Sequence, residues 1–426
     1  MHSDMHSDGH SDGHSDGHSD AQSDAQSDGE RALGGLLEAM HLAGMEDLPP
    51  QANEHARMAG FSHAVIYATD LQQQLLVPLP GQHDAAGRPL ESLRIDGTMP
   101  GRAFRAVTIV RARSPHDERT PMLWLPLLDG TERIGVLGLG VPHDGKLTET
   151  RAKDLASLVA LMVISKRPHS DSFARLVRAR PLTLSAEVLW NLLPPGTFAN
   201  DDVVISAALE PAYEMGGDAF DYALDGETLH LSIFDAMGHD ASAGLTATIA
   251  MAACRNNRRH GMELAGLGDA IDAAIREQFS GRFATGILAE LDLGSGHLTW
   301  VNRGHHPPLV LRDGHLVASL GSVPDPPMGF GLNVSTGPLH YQLEPGDRLL
   351  FYTDGVIEAQ SPDGELFGLE RFIDFVVRRE ADGMSAPETL RRLIQAILAH
   401  QRGRLQDDAT VVTVEWQTRR RFQLVL

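Results

Sequence analysis

Four aspartates between positions 218 and 407 stand where apolar patterning alone would not place them. The segment Gly216-Gly217-Asp218-Ala219-Phe220-Asp221-Tyr222 runs into a turn at Leu224-Asp225-Gly226-Glu227-Thr228, then into an alternating strand over 228–235. On that strand Leu229, Leu231, Ile233 and Asp235 share one face, because successive side chains point to opposite sides. A hairpin centred between Gly226 and Glu227 sets Phe220 against Ile233 and Tyr222 against Leu231, in keeping with one buried face. The same register sets Asp218 against Asp235, roughly 5 Å apart at Cβ. Like charges placed so destabilise a strand pair. A divalent cation between them removes the conflict, and hard oxygen ligands suit Mg2+ or Mn2+. Two more carboxylates sit at strand ends. Asp354 closes Leu350-Phe351-Tyr352-Thr353-Asp354-Gly355 on the parity of Leu350 and Tyr352, and Asp407 opens the final strand. A polar residue that continues an apolar face needs a partner. Read one at a time, Asp225-Gly226 and Asp354-Gly355 are also ordinary turn formers.

The elements that hold these aspartates span 199–416. Strands are expected at 203–209, 228–235, 283–293, 298–302, 309–312, 348–354 and 407–416, with helices over 241–259 and 385–402. The last helix carries a capping-box signature, Ser385 and Glu388, and a stripe of Leu390, Leu393, Ile394, Ile397 and Leu398. Many antiparallel strands with a few helices imply sheet-on-sheet packing under helical outer layers.

Five stretches in order carry a family resemblance: Gly216-Gly217-Asp218-Ala219-Phe220-Asp221, Phe234-Asp235-Ala236-Met237-Gly238-His239, Asn302-Arg303-Gly304-His305-His306-Pro307-Pro308, residues 343–355 and Asp407-Asp408-Ala409-Thr410. Together they resemble the SpoIIE-like branch of the metal-dependent protein phosphatases (PPM, type 2C fold), over roughly 196–418. The resemblance implies a β-sandwich flanked by helices with a site for two divalent cations, Mn2+ or Mg2+. It implies Asp218, Asp235, Asp354 and Asp407 as metal-binding and catalytic carboxylates, with the backbone carbonyl of Ala236 as a further ligand. Three features depart from the family. Ala236 replaces a glycine, Arg303 and His306 alter the Asn-Ala-Gly-His run at the substrate edge, and Met237 stands where animal-type relatives offer a histidine as general acid. His239 or metal-bound water is the alternative acid, and no counterpart of the family's phosphate-binding arginine is visible. His305 reads as loop-shaping and Cys254 as a buried, inert thiol.

The first half reads as a small α+β domain. In the segment 31–49 a short helix is expected over 31–46, ending before Pro49-Pro50. Strands follow at 63–68, 121–128 and 134–141, the last two joined by a hairpin turn at Asp129-Gly130-Thr131-Glu132, and a helix closes the domain over 148–165. With Ile95-Asp96-Gly97-Thr98-Met99-Pro100-Gly101-Arg102-Ala103-Phe104, these elements make 50–166 resemble a GAF domain. That resemblance implies a ligand-binding, often dimeric sensor for an unidentified small molecule. The cysteine of bilin-binding members is absent. A lone strand histidine such as His63 is more often packed or exposed than a haem ligand. Residues 167–195 are expected to bridge the halves, with a helix near 185–193 whose Leu189, Leu192 and Leu193 suit a signal relay and a homodimer contact. Residues 1–30 form a His-Ser-Asp repeat tail with histidines at 2, 6, 10, 14 and 18, too poor in apolar residues to offset its ordering entropy.

Composition narrows the partners. The net charge is −21, of which the tail's seven Asp and one Glu supply −8, leaving −13 on the body. An acidic body repels phosphate backbones, which argues against nucleic acid. The longest apolar stretch, 155–164, is about half of the ~20 residues a bilayer requires. No leader sequence is readable, and the one cysteine excludes intramolecular disulfides, which together suggest a cytoplasmic protein. The reading is an α+β, two-domain, sensor-regulated serine/threonine protein phosphatase. By resemblance its substrate is a phosphorylated anti-anti-sigma-type protein. The alternatives are a catalytically silent module that binds a partner and a metal buffer acting through the tail.

Overall fold

The computed structural model describes residues 31–417, apart from 85–86, 116–120, 142–145, 211–212, 215, 239, 333 and 404. The repeat tail and His239 therefore lie outside the described residues. The chain divides at Ala179–Arg180 into two compact units.

The first unit is built on one antiparallel sheet. Its helices α1 (residues 31–39) and α2 (Leu48–Met58) precede strands β1 (Ala64–Thr69), β2 (Leu75–Pro78) and β3 (Leu93–Arg94). After α3 (Met99–Ala106) come β4 (Val110–Arg113), β5 (Pro121–Asp129) and β6 (Glu132–Gly140), then α4 (Lys146–Lys166) and α5 (Asp171–Leu176). The strand order is β3-β2-β1-β6-β5-β4. One core joins Leu36, Leu48 and Ala52 to Leu137, Leu155, Val159 and Phe173. A second gathers Tyr67, Phe104, Trp124 and Val136. Gly101 is required in the 95–104 motif, since a Cβ there would collide with the Ile95 carbonyl.

Two sequence expectations change here. Pro49 and Pro50 open α2 instead of ending a helix over 31–46. Proline is favoured in a first helical turn, where its missing N–H costs nothing. The 167–195 bridge also contributes to the cores of the two units. Phe173 and Val177 belong to the first unit's core. The expected relay helix, α6 (Leu184–Leu192), buries Ala186 and Leu189 in the second unit, with Trp190, Leu192 and Leu193 packed against the same core. Of the apolar face assigned to self-association, Leu189 is thus buried within the chain, and Leu192 and Leu193 are half-buried against the same core.

The second unit is a two-sheet sandwich. Strands β7 (Thr197–Ala199), β8 (Val203–Glu210), β9 (Asp218–Asp225) and β10 (Thr228–Ala236) are followed by α7 (Ala241–Arg259) and α8 (Leu264–Gln278). Then come β11 (Ala284–Asp292), β12 (His297–Arg303), β13 (Leu309–Arg312), β14 (His315–Ser319), β15 (Leu339–Gln342) and β16 (Arg348–Tyr352). Helices α9 (Asp354–Ile357), α10 (Leu369–Ala381) and α11 (Ala386–His400) precede the last strand, β17 (Ala409–Trp416). The sheets run β15-β12-β11-β10-β9 and β14-β13-β16-β17-β8-β7. The main core joins both sheets through Leu231, Ile233, Ile287, Leu349, Val412 and Val414, together with residues of α6, α7 and α8. A further core sets α10 and α11 against Leu350, Tyr352 and Val411. The capping box at α11 does not form. Ser385 makes no side-chain cap, and Glu388 instead accepts from Arg391 and Arg392.

Candidate active site

The site begins with the β9–β10 hairpin. Its register pairs Phe220 with Ile233, Tyr222 with Leu231 and Asp218 with Asp235, as the alternation requires. Gly226 turns the chain with φ 59°. Upstream, Gly217 lies so close to the Ala236 carbonyl that a Cβ would strike it, and the Ala236 N–H donates to the Gly217 carbonyl at 3.0 Å. The Gly-Gly-Asp run is therefore pressed onto the end of β10. Ala236 is not among the positive-φ residues, so alanine is accommodated there without strain, while the turn that follows uses Gly238 at φ 88°.

The other sheet delivers the remaining carboxylates. Asp354 does not end a strand but starts α9, two residues past β16. Asp407 is exposed just before β17, its Oδ1 accepting from the Asp408 N–H at 2.9 Å. Asp218 is buried, and its Oδ2 accepts from the hydroxyls of Thr353 and Thr410, both at 2.7 Å. Those hydroxyls hold one carboxylate oxygen and leave the other for a further partner.

Asp408 was not read from the sequence as a site residue. It is buried, and its Oδ2 accepts from the backbone N–H of Gly216 at 2.8 Å and of Asp218 at 3.2 Å. It thus ties the Gly-Gly-Asp run to the start of β17. The repeated aspartate in Asp407-Asp408 was the available signal, since two adjacent residues cannot face the same way on a strand and one had to serve another partner.

Electrostatics mark the cluster. Burial, then the charges of Asp235 and Asp408, push the Asp218 carboxyl well above the usual carboxylate range. Asp235 is raised to about 7 by burial, then by Asp354, Asp407 and Asp408. Asp354 is raised by burial, Asp407 and Glu358, with His306 acting against the shift. Asp408 is raised to about 6, mainly by burial. Like charges crowded in a low-dielectric pocket favour protonation unless a cation joins them. Among the described residues no three His, Cys, Asp or Glu side chains stand in position to hold a single ion. Uncompensated carboxylates repel, and the chemistry of this donor set, all hard oxygen and mutually destabilised, fits divalent cations.

Three further residues are settled by their contacts. His305 is buried and neutral, its pKa lowered to about 3 by burial first and then by His306. It touches Thr285 Oγ1 and the Tyr352 carbonyl, and it exchanges backbone bonds with the Asn302 side chain, so it shapes the loop as expected. Arg303 was expected at the substrate edge. It is instead buried, bonded to Asp269 at 2.6 Å, with Asp325 at 3.9 Å. Cys254 is buried, with its thiol pushed up to about 11 by that burial. A cation that sequence reading missed stands beside the hairpin. Arg282 donates to the Met237 carbonyl at 3.0 Å and to Asp240 Oδ2 at 2.7 Å.

The two-sheet sandwich with helical outer layers thus brings carboxylates from both sheets into one electrostatic cluster. Residues 225–417 match the family model described as Stage II sporulation protein E (SpoIIE). The matched segment lies within the second unit and includes Asp235, Asp354 and Asp407, so that unit is similar to this family over most of its length. The chain is 32% identical over 133 residues to Protein IcfG of Synechocystis sp., covering 31% of this chain and 20% of that protein. It is 28% identical over 192 residues to the phosphoserine phosphatase RsbP of Bacillus subtilis, covering 43% of this chain and 47% of that one. It therefore spans less than half the length of either relative. The RsbU and RsbW domains of a Mycobacterium tuberculosis protein superpose with a TM-score of 0.45 at 24% identity, covering 51% of this chain and 62% of theirs. Among the described residues no helix is long and apolar enough to cross a membrane.

Proposed function

We propose that the second unit is a metal-dependent protein phosphatase acting on phosphoserine or phosphothreonine. The observation that carries this reading is the opposed pair Asp218–Asp235, crowded by Asp354, Asp407 and Asp408. Asp218, Asp235, Asp354, Asp407 and the Ala236 carbonyl would hold two divalent cations, Mn2+ or Mg2+. When bound, such ions activate water and neutralise charge on a phosphoryl group. The chain's own part is positional. Thr353 and Thr410 fix one oxygen of Asp218, and Asp408 holds the backbone that presents it. Arg282 supplies guanidinium donors beside the hairpin, where a phosphoryl group would arrive. None of these roles calls for a covalent phospho-enzyme.

The first unit is proposed to be a GAF-type sensor for a small molecule, and the substrate a phosphorylated signalling protein of anti-anti-sigma type in the cytoplasm. The six-stranded sheet with helices on it supports the sensor reading, and the likeness to a phosphoserine phosphatase supports the substrate class. A phosphatase assay on phosphoprotein with Mn2+, Mg2+ or EDTA tests the activity. Turnover that needs the metal is expected. No turnover with either ion would leave a silent partner-binding module.

A further inference from the structure

The edge of the five-stranded sheet carries a polar square away from the carboxylates. The β12–β15 register sets His297 opposite Gln342 and Thr299 opposite His340. Residues two apart on a strand share a face, so these four side chains project together. His297, His340 and Gln342 are exposed, and Thr299 is half-buried. The two imidazoles stack, with centroids 5.2 Å apart and planes at 22°. His297 Nε2 lies 3.2 Å from His340 Nδ1, which also lies 3.2 Å from Thr299 Oγ1. The Gln342 amide nitrogen is engaged elsewhere, donating to the carbonyls of Ser295 and Leu343.

A proton on one of the facing nitrogens donates to the lone pair of the other; when each ring carries its proton on its outer nitrogen, two lone pairs face the gap. An ion between them would use both. With metal–nitrogen bonds of about 2.0–2.1 Å, a separation of 3.2 Å subtends an angle of about 100° at the ion, between octahedral and tetrahedral values. Imidazole nitrogen selects zinc, nickel or copper over the magnesium and manganese that carboxylates favour.

We propose that His297 and His340 form a two-histidine site for a transition-metal ion of the zinc class, its remaining positions filled by water. The ion clips β15 to β12. β15 is four residues long and lies at the sheet's edge, hydrogen-bonded to β12 alone. The two histidines are 43 residues apart in sequence, so the bound ion is a cross-link of a long loop. Anything that binds the folded chain and not the unfolded one raises its stability.

The test uses the full chain with Mg2+ in excess to occupy the carboxylates. Zn2+ binding is measured by equilibrium dialysis and thermal melts follow the second unit. Wild type is compared with His297→Gln, His340→Gln and the double variant. Both side chains are exposed, so the variants should melt like wild type without zinc. The histidines of the repeat tail are common to all four proteins and subtract out. Wild type should bind one more Zn2+ per chain than the double variant, and each single variant should hold that ion at least tenfold more weakly. Zinc should raise the melting temperature of wild type only, and the rise should fade in acid, because a protonated imidazole cannot ligate. Equal stoichiometry in wild type and double variant would overturn the site. An extra ion with no thermal gain would overturn the cross-link.

Discussion

Replacing Asp235 by Asn in the metal-free protein should stabilise it above neutral pH and leave it unchanged in acid. The Asp235 carboxyl moves from 3.8 to about 7 on folding. Each unit corresponds to 1.36 kcal/mol, so the penalty at pH 8 is about 4 kcal/mol, shared with the coupled Asp218 and Asp408. The folded protein binds this proton more tightly than the unfolded chain. Stability is therefore full below about pH 4, falls as pH rises toward 7, and levels off above that. At ~2–4 °C per kcal/mol for a domain of this size, the wild-type protein should melt roughly 10 °C below the Asn variant at pH 8 and together with it near pH 4. Manganese should reverse the order. Ligand carboxylates must be ionised, so the wild type gains from Mn2+ increasingly as pH rises, and the variant gains less. Melts at pH 4, 5, 6, 7 and 8, each with EDTA and with Mn2+, read both effects. Parallel EDTA profiles for the two proteins would show that Asp235 is not crowded. Equal Mn2+ shifts would remove it from the metal site.

Asp408→Ala should cost about 2–4 kcal/mol, because the backbone N–H groups of Gly216 and Asp218 lose their buried acceptor, while Asn, which keeps one oxygen, restores part of it in urea titrations. Asp354→Asn should abolish turnover at saturating Mn2+ with an unchanged circular dichroism spectrum, and near-wild-type activity would remove it from the ligand set. A fragment starting at Arg180 should fold, whereas one starting at residue 196 loses Ala186 and Leu189 from the core and should aggregate on gel filtration. Arg282→Ala should raise KM for phosphoprotein more than it lowers kcat, and an effect confined to kcat would make Arg282 a strut for the 237–240 turn.

The hairpin was legible because local signals agreed. A turn centred on Gly226, two apolar pairs and period-two alternation leave one register, and Asp218–Asp235 follows from it. Helix α7 was legible for the same reason. The misreadings occurred where tertiary contacts overrode a local pattern. Leu189 and its neighbours form an apolar stripe whether they meet another chain or their own core, and only packing decides between the two. Ser385 and Glu388 have the spacing of a capping box, but Arg391 and Arg392 take the glutamate. Asp354 keeps strand parity with Tyr352, yet the chain turns helical at that residue, and parity cannot report where a strand stops. Asp408 and Arg282 act through backbone atoms of remote segments, and such partners leave no periodic trace.

The hydroxyl of Thr410 reaches Asp218 across 192 residues of chain. During synthesis Asp218, Asp235 and Asp354 all leave the ribosome before the segment that fixes them. The nascent chain therefore carries most of its clustered carboxylates for many seconds without the strand that organises them, at the usual ~5–20 residues added per second. Closure across so long a loop is also slow, because its entropy must be met before the contact rewards it. The first unit, by contrast, is complete by Ala179 and can fold while the second is still being made. The order of the genetic message thus completes the first unit before the second, and a prematurely terminated copy lacking β17 would lack the Thr410 hydroxyl that holds Asp218.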